Sequence, residues 1–226
     1  MKRILLALVL SALAGAIAGA APLACILETL KNYDVPGFTC TEGGLLFSDF
    51  SFTHSGSVAL DDSAVEVVPL GDGFDFDAPF TAGAGMNLDV ILRYTVRALN
   101  GSFFTSDTLA MAGFGVSGTG AIDIAETICV GAPFTAGGVC PTSVAMLNVF
   151  DNSGGFQASS SVTFGSSPTV LGATKDIAIA GGNGSASTSL VDNQISQFSA
   201  PPVSEPGTWI MMGGGVVAYI IGLVFS

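Results

Sequence analysis

The hydrophobic pattern of this chain has period two. Across residues 89–98, Val90, Leu92, Tyr94 and Val96 fall on one side, while Asp89, Arg93, Thr95 and Arg97 fall on the other. That alternation predicts a strand with one buried face. Comparable stretches cover 45–53, 65–70, 102–111, 121–130, 144–150, 156–164, 176–180 and 187–198, with Gly-rich turns between them. Asn100-Gly101 follows the 89–98 strand at once and is a strong hairpin signal, so 102–111 is expected to return as its partner. About nine strands and no long helix predict an all-β, antiparallel two-sheet sandwich, jelly-roll-like in form. Residues 25–32 are expected to add a turn or two of helix.

The two ends break the period. Lys2 and Arg3 precede an apolar run from Ile4 to Ile17, and Ala18-Gly19-Ala20 supplies small side chains at a cleavage site. This predicts a signal peptide over 1–20, removed by signal peptidase before Ala21. The alternatives are an uncleaved anchor and a lipoprotein at Leu23-Ala24-Cys25, where Pro22 is out of place. At the far end, residues 209–225 carry no charge and no proline. As a helix they span about 26 Å, the short end of what crosses a ~30 Å hydrocarbon core. Trp209 would sit at the interface, and Gly214, Ala218 and Gly222 would form a small-residue stripe. The expected organisation is therefore signal peptide 1–20, sandwich domain 21–200, linker and motif 201–208, and a membrane helix 209–225.

Ser204-Glu205-Pro206-Gly207-Thr208-Trp209, followed by the apolar segment, resembles the PEP-CTERM sorting signal of Gram-negative exported proteins. The resemblance implies recognition and cleavage of the tail by an exosortase, a membrane-embedded transpeptidase-like enzyme. The chain departs from the pattern twice: Ser204 stands at the usual first proline, and no basic cluster follows the apolar segment. Cys25 to Cys40 followed by Gly44-Leu45-Leu46-Phe47-Ser48-Asp49-Phe50-Ser51-Phe52, together with Glu126-Thr127-Ile128-Cys129 and Lys175-Asp176-Ile177, resembles a family of PEP-CTERM proteins of unknown function. That likeness implies an exported sandwich and brings no catalytic residues.

Composition narrows the partners. The formal net charge is −12. Loss of Lys2 and Arg3 leaves Lys31, Arg93, Arg97 and Lys175 against 18 acidic residues, a balance that disfavours nucleic acid and anionic lipid. Cys25, Cys40, Cys129 and Cys140 on an export route suggest two disulfides. Three connectivities are open, of which Cys25–Cys40 with Cys129–Cys140 is the simplest. With a single histidine, His54, and no C-x-x-C pair, a zinc site is not expected.

Candidate chemistry is sparse. Asp72, Asp75 and Asp77 in Gly71-Asp72-Gly73-Phe74-Asp75-Phe76-Asp77 are hard oxygen ligands of the kind Ca²⁺ takes, but their spacing is not that of an EF-hand. The preferred reading is a strand with Phe74 and Phe76 inward and the acids in solvent. Asp61-Asp62 reads as a solvated turn and His54 as a surface side chain. Gly113 to Gly118 fits G-x-G-x-x-G but precedes turn and strand instead of the required helix. Asn100-Gly101-Ser102 and Asn183-Gly184-Ser185 mark turns. No catalytic residue, metal or cofactor is expected. The favoured function is a non-catalytic exported surface or matrix protein. The alternatives are an extracellular polysaccharide-binding module, a permanently tail-anchored envelope protein, or a secreted hydrolase with two facing carboxylates.

Overall fold

In the computed structural model, which describes residues 22–198, the alternation is realised residue by residue. Leu88, Val90, Leu92, Tyr94 and Val96 are buried while Asp89, Arg93 and Arg97 keep contact with the surface. The segment expected as a signal peptide, the Ser204–Trp209 motif and the 209–225 segment lie outside the described residues. Among the described residues, no helix is long and apolar enough to cross a membrane.

The chain order is β1 (Leu23–Ala24), β2 (Glu28–Thr29), the helical turn α1 (Leu30–Tyr33), β3 (Thr39–Glu42), β4 (Leu45–Gly56), β5 (Glu66–Pro69) and β6 (Gly73–Ala82). Then follow β7 (Asn87–Ala98), β8 (Phe103–Ala112), β9 (Gly115–Ser117), β10 (Ala121–Val130) and β11 (Ser143–Asn152). Last come β12 (Gly155–Gln157), β13 (Ser159–Thr163), β14 (Val170–Ala180) and β15 (Ser185–Phe198). One sheet runs β1-β3-β4-β7-β14-β10-β11-β12, and the other runs β13-β8-β15-β6-β5-β2 with β9 on β15. Every pairing is antiparallel except β1 with β3.

The expected all-β, two-sheet sandwich is what forms, and its core draws on the inner faces of both sheets. At one end Tyr33, brought in by α1, meets Phe38, Phe50 and Phe74 edge-on or tilted. Such aromatic packing adds to plain area burial.

Three strand expectations are corrected. Asn100 and Gly101 do form a tight turn, with φ of 56° and 76° and Ser102 N donating to Leu99 O. The turn does not make a hairpin, because both edges of β7 are taken by β4 and β14. The chain crosses instead to the facing sheet, where β8 pairs with β13 and β15. The single strand expected over 156–164 breaks at Ala158. Its first part (β12) pairs with β11 in one sheet, and its second (β13) pairs with β8 in the other. Finally, β14 begins at Val170, well before residue 176.

Candidate functional site

Five polar side chains stand on strands whose inner faces are otherwise apolar. Glu126 follows Ile122 and Ile124 on β10, and Lys175 lies between Ala173 and Ile177 on β14. Tyr94 on β7, Asp107 on β8 and Asn193 on β15 occupy the same inward phase of their strands. Period two therefore sends all five into the core. Lys175 Nζ lies 2.5 Å from Glu126 Oε1, both side chains fully buried. Asn193 Nδ2 donates to Glu126 Oε2 at 3.2 Å and to Asp107 Oδ1 at 2.6 Å. The Tyr94 hydroxyl donates to Asn193 Oδ1, and Lys175 Nζ rides 5.9 Å from the Tyr94 ring centre. The cluster links the sheets, with Tyr94, Glu126 and Lys175 from one and Asp107 and Asn193 from the other.

The electrostatics follow from burial. Desolvation, then the nearby Glu126, pushes the Asp107 carboxyl well above the usual carboxylate range. Desolvation also holds the Tyr94 phenol well above its ordinary value, aided by Glu126 and Asp107. Burial thus disfavours the charged form of both groups, and the Tyr94 phenol keeps its proton at neutral pH. Asp107 Oδ2 has no hydrogen-bond partner.

On the outer faces, carboxylates gather without making a metal cage. Asp75 on β6 stands opposite Asp192 on β15. Desolvation, then repulsion from Asp192, pushes Asp75 up to about 6. Asp176 on the other sheet is raised by burial and by Asp89 and Asp123. Among the described residues, no group of three or more His, Cys, Asp or Glu side chains is placed to hold a metal ion.

A polar hollow of about 290 Å³ opens on the outer face of the first sheet, lined by Asp49, Ser51, Arg93, Thr95, Phe134 and Thr135. Asp49 has a left-handed backbone (φ 57°) where β4 shifts register between Ser48 and Ser51, a bulge that turns this stretch out of the ladder. The opposite wall is the loop closed by Cys129–Cys140. A Cβ on Gly172 of β14 would come within 2.8 Å of Phe134 N, so that loop lies close against the sheet.

The residues singled out from sequence divide clearly. All four cysteines are paired, Cys25 with Cys40 and Cys129 with Cys140, the simplest of the three connectivities. Phe74 and Phe76 are buried, with Asp77 exposed and Asp75 half-buried, so Gly73 to Asp77 open strand β6, while Gly71 and the exposed Asp72 lie in the bend before it. Asp61 precedes an exposed single turn of 3₁₀ helix at Asp62–Ala64. His54 is exposed on β4, opposite Val90. Gly115 to Ser117 form strand β9 against β15, with no helix following. The five-residue interior cluster escaped the sequence reading, in which Lys175 entered only the charge balance and the family resemblance.

No family model matches the chain, and no curated protein matches it in sequence. Among solved structures it resembles the enzymatically active domain of bacteriophage CBA120 tailspike protein 4, at 11% identity and TM-score 0.31, over 66% of this chain and 20% of that one. It also resembles TmCBM61, solved with β-1,4-galactotriose, at 12% identity and TM-score 0.33, over 65% of this chain and 88% of that one. A third is xylanase 10C of Cellvibrio japonicus, solved with xylopentaose, at 11% identity and TM-score 0.27, over 64% of this chain and 27% of that one. Likenesses this distant carry no conclusion about function.

Proposed function

We infer that the chain is an exported surface or matrix protein whose acidic sandwich turns over no substrate. Its tail, Ser204 to Trp209 with the apolar segment behind it, is the part an exosortase handles. The observation that carries the reading is the pairing of all four cysteines into two disulfides. Such bonds form and persist in oxidising compartments outside the cytosol. The excess of carboxylates over cations supports it, since a strongly negative surface keeps a secreted domain soluble.

The test is the intact mass of the mature protein from its native host, comparing envelope with culture medium, before and after reduction. The expected species starts at Ala21, ends near Glu205-Pro206 and takes up one hydrogen on each cysteine when reduced. A complete tail in the membrane fraction would replace sorting by a permanent anchor. Free thiols in the exported species would sink the stapled-domain reading.

A second reading, an extracellular polysaccharide-binding module, is favoured by the hollow beside Arg93. A guanidinium, a carboxylate, several hydroxyls and the Phe134 ring converge there, the mix of donors, acceptors and apolar surface that small polar ligands require. Affinity electrophoresis in a panel of polysaccharides tests it, with Asp49→Ala and Arg93→Ala expected to abolish retardation. Unretarded wild-type protein on every gel removes the reading.

A further inference from the structure

We propose that Lys175 and Asn193 join in an isopeptide bond inside the sandwich, with Glu126 as the base that makes the fold its own catalyst. Glu126 holds the two reacting groups on one carboxylate: Lys175 Nζ on Oε1 at 2.5 Å and Asn193 Nδ2 on Oε2 at 3.2 Å. The amine and the amide carbon are thus separated by no more than that carboxylate bridge. The orientation of the Asn193 amide is set by its neighbours, because Nδ2 faces the acceptors of Asp107 and Glu126 while Oδ1 receives the Tyr94 hydroxyl.

The chemistry balances with these residues alone. Glu126 takes a proton from the Lys175 ammonium, and the freed lone pair attacks Asn193 Cγ. The oxygen of the tetrahedral intermediate gathers negative charge where Tyr94 O–H already points, a donor aimed at developing charge. Glu126 returns its proton to Nδ2, the Cγ–Nδ2 bond breaks, and ammonia leaves. The proton then shed by Nζ stays on Glu126. An ammonium, a carboxylate and a primary amide become a secondary amide, a neutral acid and ammonia, with no oxidant or outside reagent.

Three features of the site favour the reaction. The groups are held together in a site closed to bulk water, which turns a bimolecular encounter into an intramolecular one. A buried ion pair, expensive to keep in a low-dielectric interior, is converted into neutral groups. Asp107, whose charged form burial and Glu126 disfavour, positions the amide by accepting from Nδ2. The product also supplies a link the disulfides do not. Cys40 and Cys129 stand on β3 and β10 of the same sheet, whereas Lys175 on β14 and Asn193 on β15 belong to opposite sheets.

The sequence offers a direct readout, since Lys175 is the only Lys or Arg between Arg97 and the C-terminus. The full-length chain is reduced, denatured and digested with trypsin, and its fragments are weighed and sequenced by tandem mass spectrometry. An isopeptide bond blocks cleavage after Lys175. The expected product is one fragment starting at Ala98 that spans Lys175, lighter by one ammonia, with Lys175 and Asn193 on either side of the cross-link. Glu126→Gln and Lys175→Arg are expected to give the full mass and open cleavage at position 175. Complete cleavage after Lys175 in the wild-type protein overturns the proposal, whether Asn193 is intact or has closed on its own backbone. A cross-link that persists in Glu126→Gln overturns the role given to Glu126. Because the wild-type digest decides the main question, it stands even if a variant fails to fold.

Discussion

Lys175 and Glu126 face one another across the β14–β10 ladder, 2.5 Å apart, with neither side chain reaching solvent. An ion pair in that position is tolerable only when its remaining lone pairs and protons find partners. Asn193 supplies one from the opposite sheet, and through it Tyr94 and Asp107 are drawn into the same network. The polar groups thereby constrain how the two sheets sit on one another, which an all-apolar interface of similar volume specifies less sharply.

Asp107 makes the stability of the domain depend on pH. The unfolded chain releases this proton above about pH 4, whereas burial, with Glu126 beside it, holds it to higher pH on the folded protein. Its contribution is complete below the unfolded pKa and declines as pH rises toward the folded one, by about 1.4 kcal/mol per pH unit. Asp107→Asn retains the acceptor for Asn193 and has no proton to lose. Its stability relative to wild type should therefore rise from pH 5 to pH 7. Urea unfolding of both proteins at the two pH values checks this; identical pH profiles would mean that Asp107 ionises in the fold.

On the outer face, Asp75 should titrate near its raised value of about 6, since burial and the opposing Asp192 both disfavour its charged form. Its contribution to stability is present in mild acid and is lost as pH rises from about 4 to that folded value. Asp192→Asn removes the opposing charge and should move the Asp75 midpoint down. Carboxyl ¹³C shifts followed by NMR report it directly, and an unmoved midpoint would refute the pairing.

The Cys129–Cys140 bond closes a loop over the sheet, with a sequence separation of 11. Replacing both cysteines by serine should lower stability by about 3 kcal/mol, chiefly by freeing the unfolded chain. Amide exchange in 131–139 should accelerate more than elsewhere, because Phe134 loses its hold against Gly172. Uniform acceleration across the domain would argue that the loop is held by packing and not by the bond.

Gly73 admits no side chain. A Cβ there would lie 1.8 Å from the backbone oxygen of Asn193, so Gly73→Ala must force β6 from β15 beside the interior cluster. The expected loss is about 1–3 kcal/mol or more. Gly115→Ala, with open space around it, should change stability by less than about 0.5 kcal/mol. Thermal unfolding of the two variants gives the comparison, and equal melting temperatures would be the contrary result.

Much of the fold was legible because side-chain phase is local. Val90, Leu92, Tyr94 and Val96 announce β7 without reference to any other strand, and Phe74 and Phe76 do the same for β6. The failures were failures of partnership. Asn100-Gly101 specifies a reversal of direction but not whether the returning strand joins the same sheet. Nothing local at Ala158 says that β12 and β13 will separate. The interior site had a visible trace, since Glu126, Lys175 and Asn193 each sit in register with flanking Ile, Ala or Val. Period alone does not say that three polar side chains on separate strands will meet.

Local order along the chain was enough for the strands, their inward and outward faces, the turns at glycine and the supply of cysteines. Each of these follows from backbone geometry and side-chain chemistry over a few residues. The pairing of β7 with β4 and β14, the closure of the hollow by the disulfide loop and the meeting of Lys175, Glu126 and Asn193 arose only when two sheets packed. Those contacts join residues dozens of positions apart, and the free energy that selects them, burial shared between sheets, is a property of no single segment.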